Sequence, residues 1–387
     1  MVITPNARFT SGMTVGSQPP LSRVGLATRL ARVAGMDVAW VTDHFLSFFP
    51  QAIWDEELTW LADPDGTPHA YFDYQVLLGR LSAMSGGLRL GVGVTEPVRR
   101  HPVQLAQAFM TIAHLSKRAP ILGIGAGESE NTIPYGLDFS QPVSRLEDAL
   151  AVIRRCFDAR GPFDHDGPFF RLDGALMDLA APPGRRPEVW VAAHGPRMLA
   201  LTGRFGDGWY PTLPMTPAEY EAALGAIQSA ARDAGRDPAA ITPGYQHHAI
   251  VGRSQKAVRR IIDSKAVRFL TLLLPATVWS KHGAEHPFGD RFRGIVDFMP
   301  QRHAKPELDA AIARVPTELI AAESFVGTPR QVEDALAEYY DAGLRHLVLQ
   351  PIGALASRRD AVYSVVSVLR IQRRLRARFA GRATTPG

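Results

Sequence analysis

The chain has 387 residues, of which 46% are hydrophobic and 21% charged, and this balance excludes an intrinsically disordered polypeptide. Its length suits two or three average domains, or one α/β barrel with insertions. Cys156 is the single cysteine, which excludes an internal disulfide and favours a reducing compartment. The sequence does not open with a basic region and an apolar run, and no segment reaches the roughly 18 apolar residues of a membrane span. We therefore expect a cytoplasmic protein.

The formal net charge of +5 is concentrated near the carboxyl terminus, in LRIQRRLRARFAGR at residues 369–382. Arginines in the last turns of a helix suit its dipole. Val365, Leu369 and Leu375 alternate with these arginines, which is also typical of a helix on a membrane surface. Two interpretations stay open: a solvent-facing terminal helix, and a weak membrane or acidic-ligand association. A nucleic-acid partner is not expected.

Short apolar runs alternate with helical periodicity along the whole chain. Eight runs are predicted as buried strands: residues 8–15, 37–45, 88–95, 120–128, 188–195, 207–211, 245–252 and 346–353. Between them, helical stripes occur after Pro102, and from Val143 to Phe157. Repeated strand–helix units predict a parallel sheet with right-handed crossovers. We expect an α/β protein of one domain over residues 1–387, with eight strands closed into a (β/α)8 TIM barrel.

Two segments depart from the repeat. Residues 163–187 have the pattern of a hairpin and a loop. Residues 277–326 are much longer than a usual connection, and such a segment is normally functional or forms helices of its own. We interpret 277–326 as a lid inserted before the last strand–helix units.

Polar residues follow the predicted strands, where the active site of such a barrel lies. They are Asp43, His44, Thr95, Glu96, Arg99, Arg100, Glu128, Glu130, Asn131 and His194. The fourth strand runs into them through LGIGAGESEN at residues 122–131. Glycine at every second position, 123, 125 and 127, indicates that another backbone or a flat ligand comes close.

Familiar nucleotide and metal motifs are absent. GIGAGE places Glu128 where a Rossmann turn needs its third glycine, and no Walker lysine loop occurs. HGAEH at 282–286 matches an inverted zinc-protease motif in form, but Gly283 and Pro287 argue against the rigid helix that it needs. His247 and His248 are neighbours on a predicted strand, so they face opposite sides and do not share a metal. We expect no metal.

Five segments together resemble the luciferase-like flavin and deazaflavin oxidoreductases. They are WVTDHF, GVTEPVRRHP, LGIGAGESEN, AAHGPRMLALTGRFGDGWYP and GTPRQVEDALAEYYDAGLRHLVL, in this order. AAHGPRML, AARDAGRDPAAITP and KHGAEHPFGDRFRGIVDFMPQ further resemble the phthiodiolone-type ketoreductases of mycobacteria. The resemblance implies a luciferase-like TIM barrel, a homodimer, and coenzyme F420 as cofactor with FMN as the alternative. It also implies reduction of a ketone on a lipid-like, polyketide or small molecule.

The resemblance also implies roles for single residues. Asp43 and His44 match positions beside the redox-active ring, and Glu128 matches a proton donor or acceptor there. The residues that it assigns to the cofactor are Asp43, Gly93, Val94, Thr95, Gly125, Ala126, Gly127, Asn131, His194, Gly195 and Pro196. A non-proline cis peptide is implied at Gly93–Val94. Hydride transfer to a carbonyl would then be completed by a proton, with His44 favoured as the relay and Glu128 as its partner, although the reverse order stays open. An FMN-dependent monooxygenase and a non-catalytic carrier are the competing functions.

Overall fold

The computed structural model describes residues 8–63 and 65–380. Residues 1–7, on which the judgement about a leader peptide depends, and residues 381–382 of the arginine-rich stretch lie outside the described residues. The strands are β1 (Thr10–Thr14), β2 (Val38–Val41), β3 (Arg89–Thr95), β4 (Ile121–Ile124), β5 (Phe163–Asp166), β6 (Arg171–Ala175), β7 (Glu188–Val191), β8 (Gly208–Trp209), β9 (Thr242–Val251), β10 (Phe325–Gly327) and β11 (His346–Gln350).

The helices that separate the strands are α1 (Leu21–Val33), α2 (Tyr74–Ser82), α3 (Pro102–Leu115), α4 (Pro142–Asp158), α5 (Pro196–Phe205), α6 (Pro217–Asp233), α7 (Gln255–Ile262), α8 (Lys265–Leu272), α9 (Ala276–Lys281), α10 (Lys305–Ala313), α11 (Thr317–Ala322), α12 (Pro329–Asp341) and α13 (Arg358–Ala380). The helix start predicted at Pro102 is present. Pro102 occupies the first turn of α3, where its missing N–H costs nothing. Asp73 caps α2 by accepting hydrogen bonds from the Gln75 and Val76 amides.

Eight of the strands close into a parallel barrel. The ring runs β1–β2–β3–β4–β7–β8–β9–β11 and returns to β1, so the (β/α)8 prediction is confirmed. The predicted hairpin is also present, as the antiparallel pair β5–β6 between α4 and β7. Parallel strands of a barrel end at the same face, and this brings the polar residues that follow β2, β3, β4 and β7 to one mouth.

Some strand boundaries differ from the prediction. The apolar runs at 37–45, 120–128 and 188–195 stop being strand at residues 41, 124 and 191, because the chain turns outward once it passes the barrel rim. The short strand β10, at 325–327, was not predicted; it pairs with the outer half of β9 and lies outside the closed ring. β9 is long enough to serve both partners.

Glycines inside the barrel make room for two indole rings. A Cβ on Gly12 would lie 2.4 Å from Trp40 Nε1, and one on Gly208 would lie 2.4 Å from the Trp190 ring. The two rings lie 5.5 Å apart, and Tyr210 completes the cluster. Close packing of this kind leaves no pore through the barrel, so a ligand has access only to the ends.

The connection from β9 to β10 forms a second apolar cluster beside the barrel. Helices α7 to α11 contribute to it, and Trp279 is fully buried there. Ile53 and Leu58, from the loop after β2, are buried in the same cluster. The predicted insertion therefore carries its own helices, and it packs on the loop that follows Asp43 and His44.

The terminal helix α13 buries its apolar face within the protein. Leu369, Leu375 and Phe379 are at most 8% exposed, and the Phe379 ring stacks on Tyr340 with centroids 3.6 Å apart. The apolar residues that suggested a membrane-surface helix thus belong to the core. In the described part of the chain, no helix is both long and apolar enough to cross a membrane.

Candidate active site

An irregularity in β3 shapes one wall of the barrel mouth. The Gly93–Val94 peptide bond is cis, at the position where the resemblance implies such a bond. Around it, residues 92–95 of β3 lie opposite residues 122–124 of β4. The extra residue bulges from the ladder, as is common at barrel rims beside active sites.

Glycine occupies three alternating positions in β4 and the following turn, and the structure gives a different reason for each. A Cβ on Gly123 would lie 2.0 Å from the Val92 carbonyl oxygen, so this glycine admits the neighbouring backbone and not a ligand. Gly127 has φ of +96°, a conformation that side chains disfavour. A Cβ on Gly125 would meet Val94 Cγ2 at 3.2 Å. The prediction of a close backbone is correct for Gly123. The Cβ positions of Gly125 and Gly127 face side chains of Val94, Glu96 and Phe139, and a flat ligand against these two glycines stays a prediction.

Asp43 joins the ends of β2 and β3. Its Oδ2 accepts hydrogen bonds from Thr95 Oγ1 at 2.6 Å, and from the guanidinium groups of Arg99 and Arg100 at 2.9 Å each. Arg99 also pairs with Glu96 and is 3% exposed. This buried network leaves Asp43 engaged with protein groups. Its effect in the structure is to fix the chain on which His44 lies.

His44 belongs to a cluster with three residues of the turn after β4. Its Nδ1 lies 2.9 Å from Asn131 Nδ2, 3.7 Å from a Glu128 oxygen and 3.9 Å from a Glu130 oxygen. The Asn131 Nδ2 group also donates to Glu130 Oε1 at 2.9 Å and to Glu128 Oε2 at 3.4 Å. The predicted residues His44, Glu128 and Asn131 therefore meet at the mouth.

Asn131 determines where the neutral His44 ring carries its proton. The Asn131 Oδ1 accepts a hydrogen bond from the Phe45 backbone N–H at 2.7 Å, which directs the amide nitrogen toward His44. Because this nitrogen only donates, Nδ1 of His44 accepts, and the proton of the neutral imidazole resides on Nε2. The ring is therefore held in one tautomer.

Two further residues near this cluster had no predicted role. Glu130 has a side chain that is 1% exposed; burial, and secondly the nearby Glu128, raise the pKa of its carboxyl group well above the ordinary value. The Tyr71 ring lies 5.6 Å from His44, and burial raises the pKa of its hydroxyl to about 12. The Glu-x-Glu spacing at 128–130 was a signal for the first. Nothing in the local pattern marked Tyr71.

His194, Gly195 and Pro196 lie where β7 leads into α5. Gly195 precedes the first turn of α5, and Pro196 is inside it. Space is open around Gly195, since a Cβ there would have no neighbour within 4 Å. His194 Nε2 accepts from the Thr212 amide at 3.4 Å, and burial lowers the pKa of His194 to about 4. Among residues 8–63 and 65–380, His194 forms no hydrogen bond with a member of the His44 cluster.

The other histidines of interest do not form a shared site. The two ring nitrogens of His247 face backbone oxygens of Thr212 and Glu323, at 3.3 and 3.1 Å. In the HGAEH segment, His282 pairs with the Glu323 carboxylate at 2.5 Å, whereas His286 faces the Leu272 carbonyl at 2.9 Å. The HGAEH histidines thus have separate partners. Among the residues that the structure describes, the group that could offer three metal ligands is His44, Glu128 and Glu130.

A cavity of about 150 Å³ lies at the opposite end of the barrel. Arg8, Arg89 and Arg345 line it together with Thr10 and His346, which stand at the starts of strands or just before them. The amino-terminal face of such barrels generally serves stability, whereas the chemistry occurs at the carboxyl-terminal face. The His44 cluster, and not this cavity, is therefore the candidate active site.

Comparison with known proteins decides the family. The sequence profile of the luciferase-like monooxygenases matches residues 2–346. The chain belongs to the luciferase-like monooxygenase family. This luciferase-like chain is 40% identical over 345 residues to the phthiodiolone/phenolphthiodiolone dimycocerosates ketoreductase of Mycobacterium tuberculosis. The alignment covers 88% of this chain and 90% of that protein.

More distant similarities of this luciferase-like protein extend to a reductase of lower identity and to two solved structures of F420-dependent enzymes. The 5,10-methylenetetrahydromethanopterin reductase of Archaeoglobus fulgidus is 27% identical over 329 residues, covering 84% of this chain and 88% of that protein. An F420-dependent secondary alcohol dehydrogenase in complex with an F420–acetone adduct superposes with a TM-score of 0.71, at 18% identity, over 94% of this chain and 98% of the other. The coenzyme F420-dependent tetrahydromethanopterin reductase of Methanopyrus kandleri gives 0.70 at 20% identity, over 93% and 98%. These two superpositions establish the shared fold. The protein is thus a luciferase-like oxidoreductase with ketoreductase relatives.

Proposed function

We propose that this protein is a coenzyme F420-dependent ketoreductase or alcohol dehydrogenase that acts on an apolar, lipid-like or polyketide ketone. The observation that carries the proposal is the position of His44, Glu128 and Asn131 beside a stretch of bare backbone at the barrel mouth. The ketoreductase relatives and the F420-dependent neighbours support the same assignment.

The residues at the mouth fit a flat deazaflavin. Gly93, Gly125 and Gly127 carry no side chains, and β3 bulges from its ladder with β4 between Val92 and Thr95. The first N–H groups of α5, after Gly195, have no partner within the helix, and the positive end of the helix dipole favours an anion such as a coenzyme phosphate. Gly195 leaves the space that such a group needs.

When bound, the reduced coenzyme supplies a hydride, and the protein supplies orientation and a proton. His44 and Glu128 are the proton-holding groups at the mouth, with exposed side-chain fractions of 15% and 27%. Asn131 holds His44 in one tautomer, and Asp43 fixes the chain that precedes it. A positioned general acid of this kind contributes roughly 100- to 10,000-fold to the rate.

Aromatic side chains around His44 suit an apolar substrate. Tyr71 and Phe48 lie 5.6 and 6.4 Å from its ring. Phe45 packs edge-on against Tyr135 at 4.6 Å on the outer rim, and both are more than 40% exposed. We include in the proposal that residues 277–326 act as a lid, because their apolar cluster is continuous with the loop after His44.

Coenzyme titration tests the assignment. Coenzyme-free protein should take up F420 in preference to FMN, as read from quenching of cofactor fluorescence. Gly195→Trp should weaken uptake strongly, whereas Ala222→Trp, on the exposed side of α6, should leave it unchanged. Tight binding of FMN with no affinity for F420 would instead support an FMN-dependent monooxygenase and overturn the proposal.

A further inference from the structure

Glu130 is a buried carboxyl group that the function proposed above does not use. Its Oε1 accepts a hydrogen bond from Asn131 at 2.9 Å, while its Oε2 is buried without a hydrogen-bond partner among the described residues. A buried carboxylate that lacks partners is costly. The side chain is packed against Glu128 and His44 at the edge of the mouth, which makes its protonation state relevant to them.

The cluster contains more acceptors than hydrogens. His44 Nδ1, Glu128 Oε2 and Glu130 Oε1 lie within 4.8 Å of one another. Asn131 Nδ2 faces all three, but an amide nitrogen has two hydrogens. Its oxygen is already used by the Phe45 amide, so the group cannot be reversed. If both carboxyl groups were ionised, two negative charges would share a pocket with too few donors, which strongly disfavours the doubly charged state.

Three charged or titratable groups from the surrounding elements lie near the carboxyl pair. Arg99, from the turn after β3, lowers the pKa of Glu130. Its Nη2 and Nε are paired with Asp43 and Glu96, and its buried Nη1 has no hydrogen-bond partner among the described residues, Glu130 included. Tyr71, from the loop before α2, is uncharged at neutral pH because burial raises its pKa to about 12. His44 accepts a hydrogen bond at the nitrogen that faces the pair.

Tyr135, on the outer rim, also interacts with Glu130 electrostatically, and its own pKa is raised, first by burial. Burial and Glu128 outweigh Arg99, so the net effect raises the pKa of Glu130 well above its ordinary value. In the described part of the chain, none of these neighbours donates a hydrogen bond to Glu130 Oε2, and a proton on the carboxyl pair itself would supply the missing hydrogen.

We propose that Glu128 and Glu130 hold one proton between them at neutral pH, and that Glu128 delivers this proton to the substrate oxygen. The step rests on the proposed ketone reduction. The carbonyl carbon receives a hydride, the C=O π pair moves to oxygen, and a new O–H bond forms as the O–H bond of the carboxyl pair breaks. The pair is left doubly charged and takes a proton back from water before the next turnover.

The two carboxyl groups have different parts in this step. Glu128 is 27% exposed and reaches the mouth, so it is the catalytic residue. Glu130 is 1% exposed and acts through Glu128, as a positioning residue that keeps the shared proton available. This gives Glu128, and not His44, the role of proton donor. A bound cation is disfavoured here, because the two Asn131 N–H hydrogens are directed into this cluster of acceptors and would repel it.

The first test uses coenzyme-free protein labelled with ¹³C at the glutamate carboxyl carbons. At pH 7, the NMR spectrum of the wild type should contain one protonated carboxyl signal that is missing in Glu130→Gln. Glu221→Gln, an exposed site on α6, should retain it. Absence of that signal in the wild type, or its presence in Glu130→Gln, would overturn the proposal.

The second test follows ketone reduction as a function of pH. Glu130→Gln should lower kcat about tenfold or more and displace the limb of the kcat profile that is lost at high pH, while KM for the ketone changes little. Glu130→Asp, which keeps a carboxyl group, should recover part of the rate. A profile unaltered in Glu130→Gln would contradict the shared proton. Because the NMR test needs no coenzyme, failure of F420 binding would be recognised separately.

Discussion

Asn131 donates a hydrogen bond to Nδ1 of His44 over 2.9 Å, and its own oxygen is held by the Phe45 amide. Asn131→Asp would place a second acceptor against that nitrogen, and the imidazole would have to move its proton to Nδ1. We expect kcat for ketone reduction to fall at least tenfold, with little change in coenzyme affinity. Steady-state kinetics and fluorescence titration measure the two effects. An unchanged kcat would show that the tautomer of His44 does not matter.

Asp43 should contribute more to stability than its single charge suggests. Asp43→Asn leaves the buried guanidinium groups of Arg99 and Arg100 without their shared carboxylate, and breaking such a pair costs about 3 kcal/mol or more of unfolding free energy. Urea denaturation provides the measurement. Asp166→Asn, which removes a pair with Arg171 in which both side chains are 83% exposed, is the control and should have little effect. Equal losses in the two variants would contradict the network.

Gly127 is required by its backbone conformation. With φ of +96°, and Glu96 Cγ 3.1 Å from the position of an added Cβ, Gly127→Ala should destabilise the protein by about 1 to 2 kcal/mol. Gly225→Ala is the matched control, since Gly225 lies inside α6 with open space around it. It should stabilise the protein by about 0.5 to 1 kcal/mol. The prediction fails if both alanines shift the thermal midpoint in the same direction.

Buried neutral histidines should make the fold sensitive to acid. Burial lowers the pKa of His346 and His248 to about 3, and that of His247 and His194 to about 4. The unfolded chain takes up these protons near pH 6.5, whereas the folded chain does not. The stability that comes from keeping these histidines neutral is therefore fully present above about pH 6.5, and it is lost as the pH falls toward 4.

His346→Gln tests this linkage. His346 is fully buried and touches Thr10 and Trp40. The unfolding free energy of the wild type falls between pH 7.5 and pH 5.5, and in the variant this fall should be smaller by about 1 kcal/mol. Urea denaturation at the two pH values measures it. His114→Gln, at an exposed site, should retain the wild-type difference. A difference unchanged in His346→Gln would refute the role of this side chain.

The barrel was predictable because its strands are continuous apolar runs, which periodicity detects well. Even β8, with two residues from Gly208 to Trp209, was located within DGWYP. The ends of the strands were harder to predict. Asp43 and His44 continue an apolar run in the sequence, although the chain has already left the sheet at these residues. β10 was missed because its three residues form a strand only by pairing with the outer part of β9.

The glycines show the limit of sequence reasoning about a site. Gly123, Gly125 and Gly127 suggested a close backbone or a flat ligand, and Gly123 accommodates a backbone carbonyl oxygen. Gly12 and Gly208, for which no role was predicted, accommodate tryptophan rings. These reasons depend on the partner strand and are invisible locally. Glu130 was seen as a polar residue at the mouth, but its burial and its contact with Asn131 arise from the tertiary fold. The resemblance located the predicted site residues, and the structure added the buried neighbour.

Isotope transfer tests the central claim most directly. Reduced F420 carrying deuterium at its hydride-donating carbon would be incubated with the protein and a panel of apolar ketones under nitrogen. The account predicts an alcohol that contains one deuterium on the former carbonyl carbon, and a rate that falls strongly in Glu128→Gln. Absence of deuterium from every product, together with oxygen-dependent turnover supported by FMN, would contradict it.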